Sequence, residues 1–184
     1  MAIDDEQKIR MSAMWDTLKR YDGYISTVNF RCGLITSFSA AIFGGVLLKA
    51  DELIKIGGGL DYFLVVLLCG LVFFSLLSIY WVVRTIWPDL STNKSGVNKP
   101  SLFFFHSVAS KFDSKSYADT VHSISIDDLE RDLAIQVHEV AEVTTKKFKV
   151  VSKAAWAVKW SLLLMALIFV VVLKNSMGIE LCLP

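Results

Sequence analysis

The sequence predicts an all-α membrane protein with three spanning helices and a small cytoplasmic helical bundle. One long helix is expected to run continuously from that bundle into the third span. Three observations predict this. Of 184 residues, 54% are hydrophobic and 20% charged, with mean hydropathy +0.51, more apolar than the roughly 45–50% apolar and about 25% charged of a soluble domain. The apolar residues gather into three runs. An apolar stripe stepping by three and four leads into the last run with neither Gly nor Pro to stop it. The same composition excludes disordered, collagen-like and low-complexity chains.

A helix crosses about 30 Å of hydrocarbon with about 20 mostly apolar residues. Residues 32–48 are short for this but carry no charge. Residues 60–83 carry one charge, Asp61, at their edge, and residues 154–173 carry one, Lys159. That lysine lies about one turn inside, where its stem snorkels to the interface. The first run starts after a polar, helix-like segment and has no A-x-A site after it, so it is not read as a cleaved signal. The expected organisation is a cytoplasmic amphipathic helix over 1–31, a two-span hairpin over 32–83, a cytoplasmic helical region over 84–153, a third span over 154–173 and an outer tail over 174–184.

Orientation follows from Lys and Arg in the flanks. Lys8, Arg10, Lys19, Arg20 and Arg31 precede the first span, and ten basic residues lie from Arg84 to Lys153. The hairpin has Lys49 and Lys55, and the tail has Lys174. The basic flanks share one side if the N-terminus is cytoplasmic and the C-terminus outside. Trp81, Trp87, Trp156 and Trp160 then sit near the inner ends of spans two and three as an aromatic belt.

Gly33, Ser37, Ala41 and Gly45 recur every four residues in the first span, with Thr36, Ala40 and Gly44 beside them. Helices in lipid gain nothing from hydrophobicity against each other, so close backbone approach carries their packing. The stripe is expected to pack on span two, at a subunit interface of a homo-oligomer, or along a pore.

In the cytoplasmic part, Ile9, Ala13, Met14, Leu18, Tyr21 and Ile25 mark an amphipathic helix with Gly23 as its weak point. Residues 91–100 read as a loop, 101–112 as a short helix bearing Phe103, Phe104 and Phe105, and 117–123 as another. Ser125 with Asp128 three residues on resembles a capping box. From there Leu129, Leu133, Val137, Val140, Thr144, Phe148 and Val151 form one apolar face. Asp127, Asp128, Glu130 and Asp132 crowd its start, as the helix dipole favours. The predicted helix runs from about 126 to about 173, about 70 Å at 1.5 Å per residue, and enters the bilayer near Lys153.

Little in the chain carries chemistry. His106, His122 and His138 lack ligand spacing, and Cys32, Cys69 and Cys182 lack pair spacing, so neither a metal site nor a disulfide framework is expected. Gly57-Gly58-Gly59 reads as a turn rather than a phosphate loop. No nucleophile elbow or P-loop is present, Asp127, Asp128 and Asp132 are accounted for as a helix start, and no catalytic residue is expected. A net charge of +1 argues against a nucleic-acid polymer as partner. Lys146, Lys147, Lys149 and Lys153 fit attraction to anionic lipid heads. The alternative is an anion pocket formed where several copies bring Lys146, Lys147 and Lys149 together with Arg131.

Ser101, Leu102, Phe104, Phe105, Tyr117, Leu129, Asp132, Leu133, Gln136, His138, Lys147, Phe148 and Ala154, with Arg84 and Pro88 upstream, resemble the pattern of the membrane-spanning effectors of Pycsar. Pycsar is a bacterial anti-phage system that signals with cyclic pyrimidine nucleotides. The resemblance covers about 25–173. The chain departs from the pattern in having Asn29-Phe30-Arg31 where the family has Asp-x-Lys, and Ser39-Ala40 where it has Asn-Gly. The resemblance implies a homo-oligomer in the bacterial inner membrane. It would be activated by a cyclic nucleotide of the cyclic UMP or cyclic CMP class and would impair the membrane. No other cofactor is implied. Two further readings stay open on the residues alone: a membrane anchor or regulatory subunit for a soluble partner, and a constitutive channel.

Overall fold

A computed structural model describes residues 4–56, 61–87 and 100–176. They form five helices: α1 (Asp5–Ile56), α2 (Asp61–Ile86), α3 (Phe105–Lys111), α4 (Ser114–Ser123) and α5 (Ile126–Ser176). Three of them, α1, α2 and α5, are long and apolar enough to cross a membrane, and no strand occurs among the described residues. The chain divides into two units, one of residues 1–27 and 88–146, the other of residues 28–87 and 147–184. The division falls inside α1 and inside α5.

The long helix into the third span is as the sequence predicts. The Ser125 hydroxyl accepts from the Asp128 amide at 3.1 Å, Asp127 and Asp128 occupy the first turn, and Lys174 the last. Leu133 and Val151 are fully or nearly buried. The 52 residues of α1 are a second unbroken helix, in which the amphipathic segment leads directly into the first apolar run. Gly23 costs about 1 kcal/mol relative to Ala in a helix, too little to break one flanked by several turns on each side. The helix also passes Lys49 and Lys55, so the hairpin's basic residues are helical.

Two expectations are corrected. The segment 101–112 is helical only from Phe105. The Ser101 hydroxyl accepts from the Phe103 and Phe104 amides at 3.2 Å each, so those groups are satisfied without a helical turn. The next helix starts at Ser114 rather than 117. Asp113 accepts from the Ser116 amide at 2.7 Å while the Ser116 hydroxyl accepts from the Asp113 amide at 3.0 Å, a reciprocal cap. The expected Gly57-Gly58-Gly59 turn, most of the 91–100 loop, Cys182 and most of the outer tail lie outside the described residues.

In the second unit two apolar clusters bracket a level of serines. Val28, Cys32, Val82, Val151 and Ala154 make one cluster, and Leu64, Leu67, Leu68, Leu71 and Ile168 the other. Between them along the helices, Ser39, Ser75, Ser78 and Ser161 are all buried. The Ser39 and Ser78 hydroxyls share a hydrogen bond of 2.5 Å, and Ser78 also donates to the Ser75 carbonyl at 2.8 Å. Ser75 Oγ is buried with no partner, a desolvation cost of about 1–3 kcal/mol.

These two serines therefore respond oppositely. Ser39→Ala removes an interhelical bond worth about 0.6 kcal/mol in a membrane protein and lowers the midpoint of thermal unfolding. Ser75→Ala relieves an unmet group and raises the midpoint. Thermal unfolding in detergent checks both, and a fall on Ser75→Ala contradicts the assignment.

Candidate functional site

Several residues of the sequence pattern converge on one place. Within the first unit they tie a knot. Asp132 Oδ2 accepts from the Leu102 amide at 2.8 Å and from the Ser101 hydroxyl at 3.1 Å. The Tyr117 hydroxyl donates to the Leu102 carbonyl at 3.1 Å. Leu102, Leu133 and Gln136 are buried. Asp132, expected as a dipole acid, thus staples the 101–104 turn to α5. Phe103 stands edge-on to Trp15 of α1, 5.5 Å between centroids. Phe105 remains 67% exposed, making it the ring of the aromatic run that projects from the surface.

A polar clasp lies at the start of α1. Gln7 donates to Asp127 at 2.9 Å and to Glu130 at 3.0 Å, and Arg10 Nε meets Glu130 at 2.7 Å. The hydrogen bonds from Arg10 and then Gln7 hold the Glu130 carboxyl below its ordinary range. Sequence reading missed this clasp because its members are 120 or more positions apart. The Asp132 staple had one signal, a polar Gln136 and an acid beside an apolar stripe.

The structure spreads the expected anion-pocket residues apart. Arg131 is exposed and lies fifteen positions before Lys146 on the same helix, about 22 Å along the axis. Within a single chain the two do not meet. Lys146 and Lys149 are exposed. Lys147 is half-buried, and its Nζ donates to the Thr85 carbonyl at 2.7 Å. That carbonyl belongs to the last turn of α2, where the dipole favours a cation. The Thr85 hydroxyl in turn donates to the Trp81 carbonyl at 2.8 Å. Phe148 packs on the adjoining apolar cluster. Among the described residues no group of three His, Cys, Asp or Glu side chains gathers that could hold a metal.

The expected packing stripe of α1 faces outward. Gly33, Ser37, Ala41 and Gly45 are all exposed, and a Cβ added at Gly33 or Gly45 meets nothing within 4 Å. Ala41 and Gly45 instead line a groove of about 410 Å³ with Phe38, Leu68, Met165 and Ile168. What joins α1 to α2 is the Cys32 and Ser39 face.

The sequence model described as Pycsar effector protein domain, PycTM, matches residues 13–173. The chain belongs to the Pycsar effector family. It is therefore an anti-phage defence effector, and its three apolar helices make it a membrane protein. The family is not a known enzyme family. The Pycsar match takes in the Asp132 knot, the Lys147–Thr85 bond and all three apolar runs, and leaves Gln7 and Arg10 outside. No curated protein and no solved structure matches the chain.

Because the Glu130 pKa is lowered by folding, its contribution to stability is fully present above the ordinary carboxylate value and is lost as pH falls through the lower folded value. Acidification from neutral pH therefore loosens the start of α1, read as faster limited proteolysis there. Glu130→Gln is looser already at neutral pH and loses this acid step; an unchanged acid step in Glu130→Gln contradicts the clasp.

Proposed function

We propose that this chain is a ligand-gated effector: a cyclic nucleotide of the cyclic UMP or cyclic CMP class binds a homo-oligomer and the assembly then impairs the bacterial inner membrane. The N-terminus lies in the cytoplasm and the C-terminus outside, because Lys and Arg concentrate before the first span and between the second and third. The chain works without catalysis.

The observation that carries this reading is the match to the Pycsar effector family over 13–173, joined to one unbroken helix from 126 to 176. A ligand held by α5 residues ahead of the third apolar run acts on the span through that helix. The nucleotide must bind the membrane-impairing state more tightly than the resting one, or it shifts nothing. With no strand among the described residues, the pocket is built from helices, between subunits, and draws on Arg131, Lys146 and Lys149. Lys147 keeps two further N–H donors while it holds the Thr85 carbonyl, so it joins the pocket from the position that bond fixes.

The uncovered stripe of α1 supports the oligomer. Of the most apolar stretch of α1 only 11% is buried within the chain, against 33% for α2. Small residues let a second helix approach closely there.

Liposomes carrying the pure protein and a trapped dye test the reading. Leakage is expected only when cyclic UMP or cyclic CMP is added. Leakage without nucleotide would make the protein a constitutive channel; no leakage, with co-purification of a soluble protein, would make it an anchor. Gly45→Leu fits the single chain, because a Cβ there meets nothing, and is expected to lower the assembly size in detergent and abolish leakage. Unchanged assembly of Gly45→Leu and Ala41→Leu overturns the role of the stripe.

A further inference from the structure

Among the described residues, the end of the second unit that carries Arg84 and Lys153 holds cations and no anions. Residues 28–48, 62–86 and 147–173 contain no Asp or Glu, yet Arg31, Arg84, Lys147, Lys149 and Lys153 all fall toward this one end. Lys147 is engaged by the Thr85 carbonyl. Arg84, Lys149 and Lys153 are exposed, and no carboxylate pairs with them among the described residues.

Next to these charges stands a ledge of rings. Lys153 Nζ lies 4.5 Å from the centroid of Trp81, a contact that fixes the ammonium while leaving it in reach of an anion. Phe74 of α2 stacks on Trp160 at 6.2 Å and stands edge-on to Trp156 at 5.9 Å. Lys149, Lys153, Trp156 and Trp160 are spaced by three and four and are all exposed, so they share one face of α5. Beyond the rings that helix continues with exposed Leu163 and Leu167.

The order along this face is cation, ring, aliphatic chain. We propose that the α2–α5 face is a binding site for an anionic phospholipid. Its phosphate meets Lys149, Lys153 and Arg84, and its acyl chain lies along Phe74, Trp156 and Trp160. Charge complementarity selects the occupant. A zwitterionic lipid brings no net charge to offset three unpaired cations, and a soluble anion leaves the ring ledge uncovered. The inference rests on the three helices crossing a bilayer; it shares Lys149 with the proposed nucleotide pocket, and because its test contains no nucleotide the two readings fail separately.

Native mass spectrometry of the full chain, released from micelles of equimolar phosphatidylglycerol and phosphatidylcholine, reads the site. Phosphatidylglycerol is expected to be retained over phosphatidylcholine by about a hundredfold, or about 3 kcal/mol, since each of the three basic residues near an anionic lipid contributes about 1 kcal/mol. Lys149→Ala with Lys153→Ala removes the preference, Lys153→Arg keeps it, and Lys49→Ala, at the other end of α1, leaves it unchanged. Equal retention of the two lipids by the unaltered chain overturns the proposal. So does equal loss with Lys49→Ala, or displacement of the lipid by inorganic phosphate, which would mark a site for soluble anions. A second measurement needs no variant: in nanodiscs, brominated phosphatidylglycerol should quench tryptophan fluorescence more than brominated phosphatidylcholine at equal mole fraction. Equal quenching contradicts the site.

Discussion

The structure depends on α5 keeping its backbone hydrogen-bond ladder whole where its sequence turns from charged to apolar. In hydrocarbon an unpaired amide or carbonyl costs several kcal/mol, so a chain that enters lipid must already be helical when it gets there. Between Ser101 and Met177 this sequence offers neither Gly nor Pro, the residues that would end a helix at the boundary. Lys147, Lys149 and Lys153 place their charges at that crossing without interrupting the ladder. The 51 residues of α5 are consequently one element. α1, at 52 residues, obeys the same constraint despite Gly23.

Apolar contact alone does not fix how such helices align, because lipid tails are as apolar as leucine. Directional bonds do that here. Lys147 reaches the Thr85 carbonyl across α5 and α2, and Ser39 meets Ser78 across α1 and α2. Small buried residues, Cys32, Ala154 and Ala157 among them, let the backbones come close between these bonds. In the first unit Asp132 holds the 101–104 turn in the same way. The residues of the sequence pattern thus serve largely as structural ties, and the surfaces left open among the described residues include the outward α1 stripe, the exposed Phe105 and the basic face of α2 and α5.

How much of this the sequence reveals depends on the range of the interaction. The three apolar runs, the Ser125 cap and the Leu129-to-Val151 stripe are local, periodic signals, and the helix they foretell is present almost residue for residue. Residues 101–104 read as helical because nothing within that segment reveals the Asp132 carboxylate thirty positions away. The 114–116 start was missed because a Ser stands where a capping box normally has Glu or Gln. Gln7 with Glu130, and Ser39 with Ser78, are likewise choices made by tertiary packing. The candidate ligand residues were legible only as a run of charge; the bond that takes up Lys147 is invisible until α2 and α5 are side by side.

Amide hydrogen exchange across residues 144–156, with the full chain in lipid nanodiscs, tests the continuity of α5 most directly. Uninterrupted slow exchange from Thr144 through Trp156 is the result this account predicts. A stretch of fast-exchanging amides around Lys153 would divide the helix in two and contradict the account.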